Sequence, residues 1–307
     1  MVNYIELHNI SKTYDKGKVL AVNNISLSVS EGEIFGLIGP DGSGKTSIFR
    51  MLTTLIIPDS GSAMVLGYDV VKDYRKIRNE VGYMPGRFSL YPDLSVEENL
   101  RFYATMFGTT IEENYHLIRD IYVQIEAFGK RKAGQLSGGM KQKLALCCAL
   151  IHKPKVLFLD EPTTGIDPVS RKELWEMLRK LKTENICIFV STPYMDEALQ
   201  CDRIALIQQG EILSIDTPQA VVEQFDKYIY AVSSDDTYKL LKVLMQYPER
   251  LNSYPFGEFA HLVAVAELDE IQLGEFLKNN GFNDIRINRI DATIEDCFID
   301  LSRQTKE

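Results

Sequence analysis

The run Gly39-Pro40-Asp41-Gly42-Ser43-Gly44-Lys45-Thr46 follows directly on the apolar stretch Ile34-Phe35-Gly36-Leu37-Ile38. It reads as a strand, a tight turn and a helix that begins near Lys45. Few other patterns narrow a fold so far. Polyphosphate carries dense negative charge, and glycines let successive backbone N–H groups turn inward around it. The N-terminus of the following helix adds a partial positive charge. At this spacing Lys45 reaches the outer phosphate oxygens and the Thr46 hydroxyl can ligate Mg²⁺. The expectation is a nucleoside triphosphate site built from Gly39, Asp41, Gly42, Ser43, Gly44, Lys45, Thr46 and Ser47.

A second stretch, Lys155-Val156-Leu157-Phe158-Leu159-Asp160-Glu161, is a short apolar strand ending in two carboxylates. Its unbroken hydrophobicity suits a central parallel strand buried on both faces. At the carboxyl end of such a strand, beside the phosphate turn, Asp160 can hold Mg²⁺ through water and Glu161 can polarise the attacking water. Paired acids after a strand are, by themselves, ordinary loop residues. The phosphate turn is what gives them a chemical reading.

Between these motifs lies Leu136-Ser137-Gly138-Gly139-Met140-Lys141-Gln142, a Ser-Gly-Gly turn that opens an apolar helix. That is a second helix start with exposed backbone donors. One nucleotide does not need two distant sites of this kind, so the economical solution gives the second to a nucleotide held by another subunit. Here the chain resembles the ATP-binding subunits of ABC transporters, over roughly residues 1–220. The resemblance implies ATP and Mg²⁺ as ligands and a head-to-tail pair of such subunits, with Ser137, Gly138 and Gly139 facing the partner's ATP. It places Tyr14 where the family stacks an aromatic ring on adenine, and Gly165-Ile166-Asp167-Pro168 on the loop that crosses the dimer. Asp167 also reads as an N-cap with Pro168 at the first helical position.

Two departures from the family pattern stand out. A Gln normally follows the Tyr-x-Pro segment, but Tyr83-Met84-Pro85 is followed by Gly86, and the first glutamine of the chain is Gln124. A switch His normally follows a Ser-Thr strand end, but Ser191-Thr192 is followed by Pro193. The four histidines, His8, His116, His152 and His261, all lie elsewhere in the sequence. Loss of a positioned proton-handling or charge-stabilising group slows chemistry by about 10²–10⁴-fold. Binding rests on other groups, so the expectation is a site that holds ATP well and hydrolyses it slowly. An asymmetric heterodimer follows from this. The competing expectation is a homodimer in which Glu161 suffices for turnover.

A net charge of −9 speaks against a nucleic-acid surface. Five cysteines without a Cys-x-x-Cys pair fit reduced thiols in the cytosol. No apolar run approaches the ~20 residues of a membrane span, and no secretory signal is evident at the N-terminus. The expected location is cytoplasmic, peripheral on the inner face of the cell membrane, with integral permease subunits as partners.

The expected fold is α/β, a P-loop NTPase of ABC ATPase type with a RecA-like parallel core, an antiparallel β subdomain and an inserted helical subdomain. Residues 1–226 form this nucleotide-binding domain, with the helical part over about 88–150, and residues 227–307 a small α+β ferredoxin-like domain. Short strands are expected at 4–7, 19–22 and 25–29, and helices at 45–55, 168–182 and 194–200. Ser95-Val96-Glu97-Glu98 is a capping box, and Leu100, Tyr103, Met106 and Phe107 mark the apolar face behind it. The ending Thr293-Ile294-Glu295-Asp296-Cys297-Phe298 is similar to that of drug-export ATPase subunits, which favours export. Two rivals are a nucleotide-gated regulatory subunit, favoured by Gly86 and Pro193, and a ribosome- or DNA-directed member of the family. The latter is disfavoured by one phosphate turn and no sustained heptads.

Overall fold

Two long antiparallel strands, β1 (Asn3–Tyr14) and β2 (Val19–Ser30), replace the three short ones that alternation suggests. Asn9 and Asn24 each adopt a left-handed backbone with φ 50°, and the register between the strands shifts around both. Such bulges interrupt the inward–outward alternation, so one strand reads locally as two. The computed structural model describes residues 2–304 and forms two compact units, residues 2–218 with 302–304, and Gln219–Leu301.

In the first unit, β3 (Ile34–Ile38), buried at every position, runs into α1 (Lys45–Leu52). That helix stops short of residue 55, because Thr54 takes φ 63° and the Thr53 hydroxyl bonds back to Phe49 O at 2.7 Å. Next come β4 (Ser60–Val65) and β5 (Tyr68–Asp69), which complete a four-stranded sheet in the order β2-β1-β4-β5. An unforeseen helix, α2 (Tyr74–Glu80), leads to β6 (Val81–Met84). The inserted helices are α3 (Val96–Met106), α4 (Tyr115–Glu126) and α5 (Gly138–Leu150). The capping box at Ser95 and Glu98 forms as read, but Met106 is exposed; the buried stripe of α3 is Val96, Asn99, Leu100 and Ala104.

The core resumes with β7 (Val156–Asp160), α6 (Pro168–Thr183) and β8 (Cys187–Thr192). Residues Met195–Gln200 form a 3-10 turn rather than an α-helix, and the hairpin β9 (Arg203–Gln208) and β10 (Glu211–Asp216) precedes α7 (Pro218–Glu223). The main sheet has the order β10-β9-β3-β8-β7-β6, parallel except for the β9–β10 pair. Phe49 of α1 stacks on Phe189 of β8 at 4.8 Å and meets Phe158 of β7 edge-on at 5.9 Å. This cluster pins the phosphate helix to the strands that carry Asp160 and Thr192.

The second unit comprises β11 (Tyr228–Ser233), α8 (Thr237–Leu244), β12 (Asn252–Phe256), β13 (Phe259–Ala264), α9 (Glu270–Asn279), β14 (Arg286–Ile290) and the part of α10 (Ile294–Gln304) up to Leu301. Its antiparallel order β12-β13-β11-β14 is that of a split βαββαβ sandwich. Tyr230, Val232 and Leu262 pack under α8 and α9. Ala260 and Leu262 point to that side, so His261 between them faces the other way, where its Nδ1 lies 2.7 Å from the Asp296 carboxylate of α10.

Candidate functional site

Gly39 leaves β3 donating its N–H to Thr192 O of β8 at 3.2 Å. A Cβ added at Gly39 would stand 2.1 Å from Ile207 O, and one at Gly44 (φ 108°) 2.3 Å from Ala21 O, so the turn closes only with glycine there. Lys45 is buried, and its Nζ donates to Gly39 O at 2.7 Å and Pro40 O at 2.9 Å. The Ser43 hydroxyl is buried without a partner among the described residues. A buried ammonium and an orphaned hydroxyl at a helix start make a donor-rich cradle that suits polyphosphate. Asp41 and Gly42 form its exposed lip, and Thr46 and Ser47 lie half-buried in the first turn of α1. Tyr14, 37% exposed, places its hydroxyl 3.1 Å from Ser47 Oγ, so the end of β1 is brought to the same helix.

Asp160 is buried at the end of β7 and accepts a 2.7 Å bond from Ser191 Oγ. Glu161 N–H donates to both Ser191 Oγ (3.0 Å) and Ser191 O (3.1 Å). These bonds hold Glu161 at φ 53°, a left-handed backbone that costs a non-glycine residue about 1–3 kcal/mol. The result is a carboxylate aimed at the phosphate turn, with Glu161 Oε1 at 3.4 Å from Lys45 Nζ. Burial and the neighbouring Asp160 charge push the Tyr83 hydroxyl of β6 up to about 12. Among the described residues, no group of three or more His, Cys, Asp or Glu side chains could cage a metal. A Thr46 hydroxyl with one Asp160 carboxylate fits Mg²⁺, which takes one or two protein ligands and fills its shell with water and substrate phosphate.

Ser137 caps α5, its hydroxyl accepting from Met140 N at 3.3 Å. Cβ atoms added at Gly138 and Gly139 would each find a nearest neighbour at 3.7 Å, Gly165 O and Ser170 Oγ, so this turn lies against the loop that ends at Asp167. Asp167 caps α6 by accepting from Val169 N and Ser170 N, both at 3.0 Å. The Ser170 N–H and hydroxyl, foremost, hold its carboxyl below the usual range. The structure therefore groups the chain's site residues into two clusters, one around Lys45 and one around Ser137.

Gly86 sits beside the Asp160–Glu161 pair: a Cβ there would stand 3.0 Å from Asp160 O and 3.8 Å from Glu161 Cβ. It opens on a cavity of about 160 Å³ lined in part by Arg87, Gln142 and Glu161. Pro193 directly follows β8. Sequence reasoning missed Ser191, Thr163 and Glu197. Ser191 had a signal, since parallel pairing of two apolar strands sets it opposite Asp160. Glu197 had none, because its partners are Thr163 and Thr192, distant or unremarkable in sequence.

A strand, a glycine phosphate cradle and paired carboxylates on a parallel sheet define a P-loop nucleotide-binding fold. Residues 22–164 match the family profile described as "ABC transporter". The chain is 38% identical over 303 residues to the "Probable multidrug ABC transporter ATP-binding protein YbhF" of Escherichia coli, covering 97% of this chain and 52% of that protein. It thus spans about half the length of that relative. It is 32% identical over 307 residues to Nod factor export ATP-binding protein I of a Rhizobium species, covering 99% and 98% of the two chains. A solved dimer of an ATP-binding cassette in a post-hydrolysis state, bound to ADP and Pi, superposes with a TM-score of 0.64 at 26% identity, over 69% of this chain and 98% of that one. The chain belongs to the ABC transporter family, among its ATP-binding ATPase cassettes.

Proposed function

We propose that the chain powers an exporter: it binds and hydrolyses ATP on the cytoplasmic face of the cell membrane, beneath membrane-spanning subunits supplied by other polypeptides. The observation that carries this reading is the 3.4 Å approach of Glu161 to Lys45, which unites a phosphate-binding cation and a base from separate elements. Tyr14 stacks on adenine, Gly39 through Ser47 cradle the phosphates, and Glu161 orients and polarises the attacking water. Thr46 and Asp160 hold Mg²⁺, which when bound offsets phosphate charge. Ser137, Gly138, Gly139 and Asp167 serve the nucleotide of a second ATPase subunit. Residues 1–226 act as this nucleotide-binding domain and 227–307 as an accessory domain.

Export is supported by the relative named for Nod factor export, and a multidrug transporter relative is consistent with it. Among the described residues, no helix is long and apolar enough to cross a membrane. Phe88 and Tyr91 are exposed while Leu90 is buried, which supports segment 88–92 as part of a docking surface for a membrane subunit. Gly86 beside Asp160 favours a second reading, a nucleotide-gated regulatory subunit with little hydrolysis of its own. ATPase assays of wild type, Lys45→Ala and Glu161→Gln, alone and with a second ABC ATPase subunit whose own Lys45-type site is complete, separate the two. Turnover by the isolated wild type that both substitutions abolish supports a complete site. Turnover only in the mixture, indifferent to Glu161→Gln, supports the regulatory reading.

A further inference from the structure

We infer that Glu197 is a positioning residue for hydrolysis, clamping the turn behind Glu161 to the segment behind β8; this rests on the hydrolytic reading above. Glu197 lies in the 3-10 turn and is only 2% exposed. Its Oε2 accepts from Thr163 Oγ1 at 3.0 Å and from Thr192 Oγ1 at 2.5 Å, and both threonines are fully buried. Thr192 Oγ1 in turn accepts from Tyr194 N at 3.1 Å. The other carboxylate oxygen faces Arg171 Nε of α6 at 3.5 Å, an ion pair outside hydrogen-bond geometry. The Arg171 guanidinium lies 4.2 Å over the Tyr194 ring.

One buried carboxylate therefore ties together three segments: the turn two residues beyond Glu161, the end of β8, and α6. Packing alone would be served as well by an apolar side chain, because burying a charge is costly. Burial accordingly raises the carboxyl above its usual range, against the two hydroxyl donors, the nearby Trp175 indole and Arg171. What an apolar residue could not do is accept both hydroxyls. Pro193 lies between Thr192 and Tyr194 and offers neither a side-chain donor nor an N–H. That segment must be held from behind, and Glu197 is the group that holds it. Thr192 O also receives the Gly39 N–H, so the clamp reaches the phosphate turn as well.

The test uses the full chain, with whichever second ATPase subunit gives wild-type turnover. Glu197→Ala should lower kcat by about 10–100-fold, the scale of a base misplaced by about 1 Å, while the Kd for ATP, read with a fluorescent analogue, stays within about 3-fold. Glu197→Gln keeps an acceptor oxygen and should retain most turnover. Thr192→Val should lower kcat alone yet add nothing to Glu197→Ala. Wild-type kcat in Glu197→Ala, or equal damage from Gln and Ala, overturns the inference. If Glu197→Ala does not fold, Thr163→Val and Thr192→Val carry the same expectation. If the wild type itself shows no turnover, the hydrolytic reading has failed, and the clamp is read instead from Trp175. This is the chain's one tryptophan, four residues beyond Arg171 on α6. An ATP-dependent change in its emission that Thr163→Val and Thr192→Val both abolish supports the clamp, and an unaltered change overturns it.

Discussion

At the scale of single residues the site is an opposition of charges held by strain. Glu161 keeps a left-handed backbone because Ser191 bonds its N–H twice, and its carboxylate rests against the lysine that phosphate would engage. Removing the charge should separate binding from chemistry. Glu161→Gln should lose about 10²–10⁴-fold in kcat, the range for a positioned base, with ATP affinity kept. Lys45→Ala should lose affinity itself, and equilibrium binding beside steady-state turnover distinguishes the two. A second residue acts on stability. Burial would raise the Asp296 carboxyl, but donors from His261, Thr293 and Tyr254 outweigh it and hold it below its ordinary 3.8. A carboxyl depressed by folding contributes stability that is whole above its unfolded value and is lost as pH falls through its folded one. Urea midpoints of the wild type should therefore fall below about pH 4, and Asp296→Asn should flatten that fall. At neutral pH the substitution should cost about 1.5–3 kcal/mol, since it weakens hydrogen bonds to a charged, buried acceptor.

At the scale of elements, local chemistry decides what can be read ahead of the structure. The capping box of α3 is written in four consecutive residues and forms as written, with Glu98 N to Ser95 Oγ at 3.2 Å and Ser95 N to Glu98 Oε2 at 2.7 Å. Ser95→Ala should cost about 1 kcal/mol of stability in urea titration, with Glu98 unable to compensate because the hydroxyl is the lost acceptor. The phosphate turn, β7 with its acids and the Ser137 cap were legible for the same reason, each being strand, turn or helix start within about ten residues. The βαββαβ order of the second unit was legible from alternation and spacing. Three kinds of feature were not. Bulges at Asn9 and Asn24 hid the length of β1 and β2, because a local pattern cannot tell a bulge from a break. Segment 195–200 tightened to a 3-10 turn, with Cys201 N–H bonded to Ala198 O. The Glu197 clamp was invisible because it is made of partners 34 and 5 residues away that only the sheet brings together.

At the scale of the whole molecule, the two clusters of site residues pose a question of symmetry. The Ser137 turn packs against the Gly165 loop of its own chain rather than completing the Lys45 cradle, which leaves a helix start facing outward. If two copies pair about a two-fold axis, each site takes its cradle from one copy and its serine turn from the other. Then Lys45→Ala and Ser137→Arg chains should each be inactive alone. Mixed, they should form a pair in which the Ser137→Arg copy supplies an intact Lys45 and the Lys45→Ala copy supplies an intact Ser137. Random pairing makes half the dimers mixed, each with one good site of two, so activity should return to about a quarter of wild type if the sites act independently. A partner-dependent complex behaves otherwise. There the mixture of variants stays silent, and activity returns only when a different ATPase subunit is added to the Lys45→Ala chain, whose Ser137 turn is intact, and not to the Ser137→Arg chain. The Gly86 and Pro193 departures favour this second outcome, because both fall on the cradle side of the chain while Ser137, Gly138 and Gly139 stay in place.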